Sequence, residues 1–157
     1  MKLRIKELLT AIAIPLAAGF VSYLFTQDSM MTFSLLQKPP LSPPGWLFPV
    51  VWTLLYVLMG FASWLIYVSP HADKEEKYQA LFIYGLQLLF NFFWSIIFFQ
   101  QNASLFAFIW LCVLLYLILL TALQFYQIKK IAAYLLIPYI LWVTFAGYLN
   151  LTIYLLN

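Results

Sequence analysis

The sequence predicts an all-α integral membrane protein, a single bundle of five transmembrane helices, on three observations. First, 66% of the 157 residues are apolar and only 8% are charged, whereas a soluble domain carries roughly a quarter charged residues. Lipid tolerates the surface that such a composition leaves, and water does not. Second, five runs are long, apolar and free of Asp, Glu, Lys and Arg. Third, the cations gather at one set of ends of those runs.

The runs cover residues 8–25, 46–67, 80–99, 104–125 and 131–155. A helix needs about 20 apolar residues to cross a hydrocarbon layer of about 30 Å. Backbone groups in lipid must be satisfied within the segment, so each run is expected to be helical. The runs are too long for barrel strands and do not alternate. The first is longer than a signal-peptide core and lacks a small-x-small cleavage pattern, so it reads as a retained helix. On it Ala13 with Ala17, and Ala18 with Ser22, are small residues one turn apart that permit close helix approach. Residues 26–45 form the long connection, ending in Lys38-Pro39-Pro40-Leu41-Ser42-Pro43-Pro44-Gly45. Its prolines fix φ and remove donors, which predicts a stiff, extended loop. Such a loop suits a lid over a pocket, and a plain linker is the alternative. Trp46 and Trp64 flank the second run as interfacial belt residues. In the fifth run, Pro138 removes a backbone bond one turn before Trp142 and predicts a bend there.

Charge placement sets the orientation. Lys2, Arg4, Lys6, Lys74, Lys77, Lys129 and Lys130 fall on the side of the N-terminus, and only Lys38 falls opposite. The positive-inside bias predicts a multi-pass cell-membrane protein with a cytoplasmic N-terminus and loop 26–45 facing outward.

Several function classes lose support. Proton relays, ion pathways and carriers of charged substrates need ionisable groups at depth, and the runs contain none. The acid–base pairs of hydrolases are missing, as is a nucleophile with a neighbouring base. One cysteine, Cys112, and one histidine, His71, predict no intrachain disulfide, no metal site and no resident cofactor. The net charge of +3 is dispersed over short loops rather than gathered on one face, so no nucleic-acid partner is expected.

What the runs do contain is aromatic and amide. Phe48, Trp52, Tyr56 and Gly60 recur every four residues on one face of the second helix. Gln87, Asn91, Trp94 and Ser95 do the same on the third, and Pro138, Trp142, Phe145, Ala146 and Leu149 on the fifth. One reading is helix packing, with Asn91 bonded across to a neighbour for roughly 0.6 to 2 kcal/mol. The other is a pocket for a flat apolar ligand, walled by indole and phenol rings, with Asn91 or Gln87 donating to a carbonyl or ring nitrogen. A sterol-type pattern at Leu123, Tyr126 and Lys129 is of the kind that chance produces in a chain so rich in Leu and Tyr.

At these residues the sequence resembles the translocator protein family, also known as tryptophan-rich sensory proteins or peripheral-type benzodiazepine receptors. Three blocks carry the resemblance, which spans essentially the whole chain. They are Pro43-Pro44-Gly45-Trp46-Leu47-Phe48-Pro49-Val50-Val51-Trp52-Thr53-Leu54-Leu55-Tyr56, then Gln87-Leu88-Leu89-Phe90-Asn91-Phe92-Phe93-Trp94-Ser95-Ile96-Ile97-Phe98-Phe99, then Pro138-Tyr139-Ile140-Leu141-Trp142-Val143-Thr144-Phe145-Ala146-Gly147-Tyr148-Leu149-Asn150. The resemblance implies a homodimer of five-helix bundles with a pocket opening under the first loop. It implies protoporphyrin IX and benzodiazepine- or isoquinoline-type ligands, and light-dependent porphyrin breakdown as in some bacterial members. Carried over by position, Trp52, Asn91, Trp94, Trp142 and Ala146 line the pocket, with Phe48, Tyr56 and Phe145 as neighbours. Two departures stand out. Leu41 replaces a tryptophan that the family often has two residues before the Pro-Pro pair, and no Lys or Arg follows Lys130. The second makes a porphyrin role the stronger expectation over a sterol role.

The leading expectation is therefore a tetrapyrrole-binding membrane protein in which Trp52 and Trp142 support photo-oxidative porphyrin degradation. A non-catalytic sensor or receptor that binds the same ligand is the alternative from another class. A small-molecule transporter of porphyrin or sterol is a third, although five unequal helices show no inverted repeat.

Overall fold

The structure, a computed structural model, describes residues 4–157; Lys2, counted above among the N-terminal cations, lies outside them. Among the described residues every regular element is a helix. They are α1 (Ile5–Thr26), α2 (Met30–Ser34), α3 (Leu47–Tyr67), α4 (Lys74–Gln100), α5 (Leu105–Ile128), α6 (Lys130–Tyr134) and α7 (Ile137–Leu156), with one 3₁₀ turn at Gln27–Ser29. Five stretches are long and apolar enough to cross a membrane: Ile5–Ser34, Leu47–Tyr67, Lys74–Gln100, Leu105–Ile128 and Lys130–Leu156.

α1 and α4 outrun their uncharged runs, because charged residues start them. Asp73 caps α4 by accepting from the Glu76 N–H at 2.8 Å, with Glu75 and Glu76 in the first turn favoured by the helix dipole. The 27 residues of α4 extend about 40 Å, so its ends stand in the headgroup layer. Ser104 caps α5 through the Ala107 N–H at 3.1 Å. The preceding turn is tight: Asn102 and Ala103 take left-handed φ values of 55° and 57°. Asn150, fully buried on α7, braces that turn by donating to the Ala103 and Ser104 carbonyls at 3.1 and 3.0 Å.

The fifth span is interrupted rather than bent. It pauses at Leu135 and Leu136, and Pro138 falls within the first positions of α7, where its missing N–H leaves no bond unmade. The long connection also differs from a wholly extended loop. Its first half continues helically through α2, because residues 27–37 contain no proline; Pro39 and Pro40 then end the helical tendency. Lys38 Nζ caps α2 by donating to the Ser34 and Leu36 carbonyls at 3.2 and 3.3 Å, and lies over the Phe33 ring. Phe33 packs on Phe98 and Phe99, both at 5.1 Å between centroids. Gln37 and Asn157 exchange two bonds, Asn157 Nδ2 to the Gln37 carbonyl at 3.0 Å and the Gln37 N–H to Asn157 Oδ1 at 3.2 Å. The loop is thus pinned to α4 and to the end of α7.

Within the bundle, α1 packs against α3 and α4, and α5 against α4, α6 and α7. The closest backbone approach of α1 involves Gly60. A Cβ there would lie 2.6 Å from Ile12 Cα and 2.7 Å from the Ala11 carbonyl oxygen, so only glycine fits. The small-residue pairs on α1 divide. Ala18 and Ser22 face the bundle, with Ser22 buried, whereas Ala13 and Ala17 are exposed. α3 meets α6 closely but stands farther from α7. Aromatic side chains bridge that separation on the side of the proline-rich loop.

Candidate functional site

The α3 stripe supplies one wall. Trp52 stacks on Tyr56 at 5.6 Å and 30°, one turn along the same helix. It tilts against Trp94 of α4 at 6.3 Å and meets Tyr139 of α7 edge-on at 6.2 Å. Phe48, one turn toward the loop, meets Trp142 edge-on at 5.8 Å, and Trp142 tilts against Phe145 at 5.7 Å. The two indoles nominated for chemistry therefore belong to adjoining clusters. Trp52 and Trp142 are both half-buried, and Phe48, one turn from Trp52 on α3, touches Trp142. Ala146 is buried one turn beyond Trp142.

Behind the rings runs a chain of polar groups from three helices. The Tyr56 hydroxyl donates to Asn91 Oδ1 at 3.0 Å. Asn91 Nδ2 donates to the Tyr139 hydroxyl at 2.7 Å, and that hydroxyl donates to Gln87 Oε1 at 2.7 Å. All four side chains are buried. Tyr56 is also wedged against α1, since a Cβ on Gly19 would collide with its ring. The Asn91 amide is engaged at both ends and holds Tyr56 and Tyr139 in place, with one of its two N–H protons spent on Tyr139 and the other left over. Donors without a protein partner are Gln87 Nε2, Trp94 Nε1 and Trp142 Nε1. Each unmade buried bond costs roughly 1–3 kcal/mol, which a ligand acceptor or water would relieve.

Tyr139 is the central residue that the site expectations omitted. Its signal was present: it precedes Val143 and Ala146 on the core face of α7, and a buried Asn91 requires a partner from another helix. Nothing in the chemistry of the walls supplies an acid or base. The cluster offers π faces, three indole or amide N–H groups and a water-poor interior, which suits binding of a flat conjugated molecule.

Comparison with known proteins agrees with this architecture. Residues 11–156 match the TspO/MBR family. The tryptophan-rich protein TspO of Chlorobaculum tepidum is 37% identical over 100% of this chain and 99% of its own length. The protein of the same name from Archaeoglobus fulgidus is 36% identical over 99% of both chains.

The chain belongs to the TspO/MBR family.

The translocator protein of Bos taurus is also similar, 33% identical over 87% of this chain and 82% of its own. With five spans and family membership together, this TspO/MBR chain is a multi-pass membrane protein. The matched residues contain all three aromatic stripes and the polar chain behind them.

Proposed function

We propose that this TspO/MBR protein binds a planar tetrapyrrole, with protoporphyrin IX as the reference ligand, between the aromatic faces of α3, α4 and α7. Benzodiazepine- and isoquinoline-type molecules share the required flat, apolar shape and enter the same site. The observation that carries the reading is the arrangement of Trp52, Trp94 and Trp142 around a buried Tyr56–Asn91–Tyr139–Gln87 chain, with N–H groups left unpartnered. Phe48, Phe145 and Ala146 complete the lining, and the pinned loop 26–45 is the lid.

The bound porphyrin then undergoes light-dependent oxidation. The porphyrin absorbs the photon and dissolved dioxygen is the oxidant. Addition of dioxygen across a bridging carbon–carbon double bond places both oxygen atoms in the product and needs no proton or electron from the protein. That stoichiometry suits walls without carboxylates or amines. Trp52 and Trp142 hold the ring and pass the activated oxygen on to it. The protein works as a homodimer in the cell membrane with its N-terminus cytoplasmic.

The test has two arms. Quenching of tryptophan fluorescence by protoporphyrin measures binding, and loss of porphyrin absorbance under illumination measures breakdown. Wild type is expected to bind and to accelerate loss, and Trp52→Phe with Trp142→Phe to slow it. Equal rates in the double variant would remove the indole role. Tight binding with intact porphyrin under light would instead establish a receptor without chemistry.

A further inference from the structure

An opening lies at the opposite end of the bundle, away from the aromatic cluster. It is a groove of about 550 Å³ between α1, α3 and α4, within the range of small-molecule sites. Its body is apolar, formed by Ala11 and Ile14 of α1, Trp64 of α3, and Leu81, Gly85 and Leu88 of α4. Its mouth is not. Lys6 and Glu7 line the groove itself, and a contiguous cavity of about 420 Å³ shares Tyr67 and Leu81 with it and adds Arg4, Lys74 and Lys77. Four cations thus face one carboxylate, and Glu7 already lies 3.4 Å from Arg4 Nη1. The acidic residues of the first turn of α4 line neither cavity. Asp73 is bonded to the Glu76 N–H, and Glu75 accepts from Gln79.

Three features fix what fits. The lining runs down α1 from Lys6 to Ile14 and down α4 from Lys77 to Leu88, roughly 12 and 16 Å at 1.5 Å per residue. That path descends from the headgroup layer into one leaflet. Lys77 is held at the rim, its Nζ donating to the Tyr67 carbonyl at 3.0 Å with two further protons to offer. Below the rim, Trp64 Nε1 is buried without a partner, at the level where a lipid carries ester carbonyls. Basic pockets between spans on the positive side of a membrane are suited to anionic lipid headgroups.

We propose that this groove binds one anionic phospholipid of the adjoining leaflet. Its phosphate sits among Lys6, Lys74 and Lys77, an ester oxygen accepts from Trp64 Nε1, and one acyl chain lies along Ile14, Gly85 and Leu88. The site is separate from the porphyrin reading and does not depend on it.

Gly85 makes the test clean, because a Cβ there meets nothing within 4 Å and a larger side chain grows into the groove rather than into the protein. The full chain, solubilised in detergent, is titrated with phosphatidylglycerol or phosphatidylcholine and followed by native mass spectrometry. One phosphatidylglycerol per chain is expected to be retained in preference to phosphatidylcholine. Lys6→Gln with Lys77→Gln reduces that affinity by about twenty-fivefold, at roughly fivefold per cation. Gly85→Phe abolishes retention with every charge intact, Gly85→Ala preserves it, and inorganic phosphate does not displace the lipid. Equal retention of both lipids by wild type overturns the proposal, as does undiminished binding in either the lysine or the Gly85→Phe variant. Displacement by phosphate alone would make it an anion site instead. Lipid lost in step with dimer formation, and restored on dilution, would assign the groove to a second copy of the chain.

Discussion

Tyr139→Phe isolates the polar chain from everything around it. The substitution removes one oxygen and keeps the ring, so the edge contact with Trp52 at 6.2 Å survives and no cavity larger than a hydroxyl forms. Two bonds of 2.7 Å disappear together, leaving Asn91 Nδ2 and Gln87 Oε1 buried without partners. Interhelical bonds in lipid average about 0.6 kcal/mol and reach about 1.7, whereas stranding a buried polar group costs about 1–3 kcal/mol. Two average bonds set a floor of about 1 kcal/mol; the two stranded groups set a ceiling of about 6 kcal/mol. The assay is reversible unfolding in mixed micelles, with protoporphyrin quenching run in parallel. Porphyrin affinity is expected to fall by up to tenfold, since 1.4 kcal/mol corresponds to one decade and only part of the strain reaches Trp52. A double-mutant cycle with Tyr56→Phe must show coupling, because Asn91 joins both hydroxyls. A stability change below about 0.5 kcal/mol with zero coupling would refute the claim that this chain organises the site.

Other perturbations test separate joints. Gly60→Ala forces the α1 and α3 backbones apart and is expected to lower stability by about 1–3 kcal/mol in the same unfolding assay. Gly85→Ala is the control and should be neutral or slightly stabilising, since its Cβ meets open space. Gly19→Ala drives the Tyr56 ring from its seat and should weaken porphyrin quenching more than it weakens folding. Asn150→Leu removes both bonds bracing the left-handed turn at Asn102 and Ala103, and is expected to cost about 1–3 kcal/mol by thermal unfolding with quenching unchanged. Asn157→Ala unties Gln37 from α7 and should speed ligand release in stopped-flow quenching while leaving stability within about 1 kcal/mol.

The five-helix plan was legible because lipid imposes it. A span without about 20 apolar residues cannot cross, and backbone groups there allow only a helix. Which face of each helix turns inward was much less legible. Leu54, Leu89, Leu119 and Leu141 face outward while Leu55, Leu88, Leu114 and Leu149 are buried, so hydrophobicity does not distinguish core from lipid. Polar residues do better: Ser22, Ser63, Gln87, Asn91, Thr121 and Asn150 are buried, whereas the outward-facing Thr53 and Thr144 donate back to the Pro49 and Ile140 carbonyls of their own helices. That is why the α3 and α4 stripes could be read from spacing, through Trp52 and Asn91. For Tyr139, spacing gives a place on the core face of α7 but not its role, because the amides it joins arrive from α4 and one-helix periodicity does not identify them. The same limit explains the small-residue pairs. α1 offers two, and other helices choose between them: Tyr56 of α3 packs on Gly19 beside Ala18, and Ser22 donates to the Phe92 carbonyl of α4. The helical start of loop 26–45 was hidden because its proline-rich second half dominated the reading of the whole.

A bundle of this composition has no structural need for its polar chain. The α1–α3 contact at Gly60 and the apolar residues between α4 and α5 could hold it with Leu and Phe alone, and replacing buried polar groups by well-packed apolar ones is nearly neutral or stabilising. Here four buried side chains from three helices are instead tied together, and the Gln87 amide and two indole N–H groups are left over. Three unpartnered donors gathered beside a buried network that packing does not require are the local departure from folding rules expected of a site. The surplus is also of one kind. Every leftover group in the cluster is a donor, so whatever completes it must bring acceptors on a flat apolar body. Peripheral carboxylates on a conjugated ring are acceptors of that kind, and a sterol, with a single hydroxyl at one end, would satisfy at most one of the three.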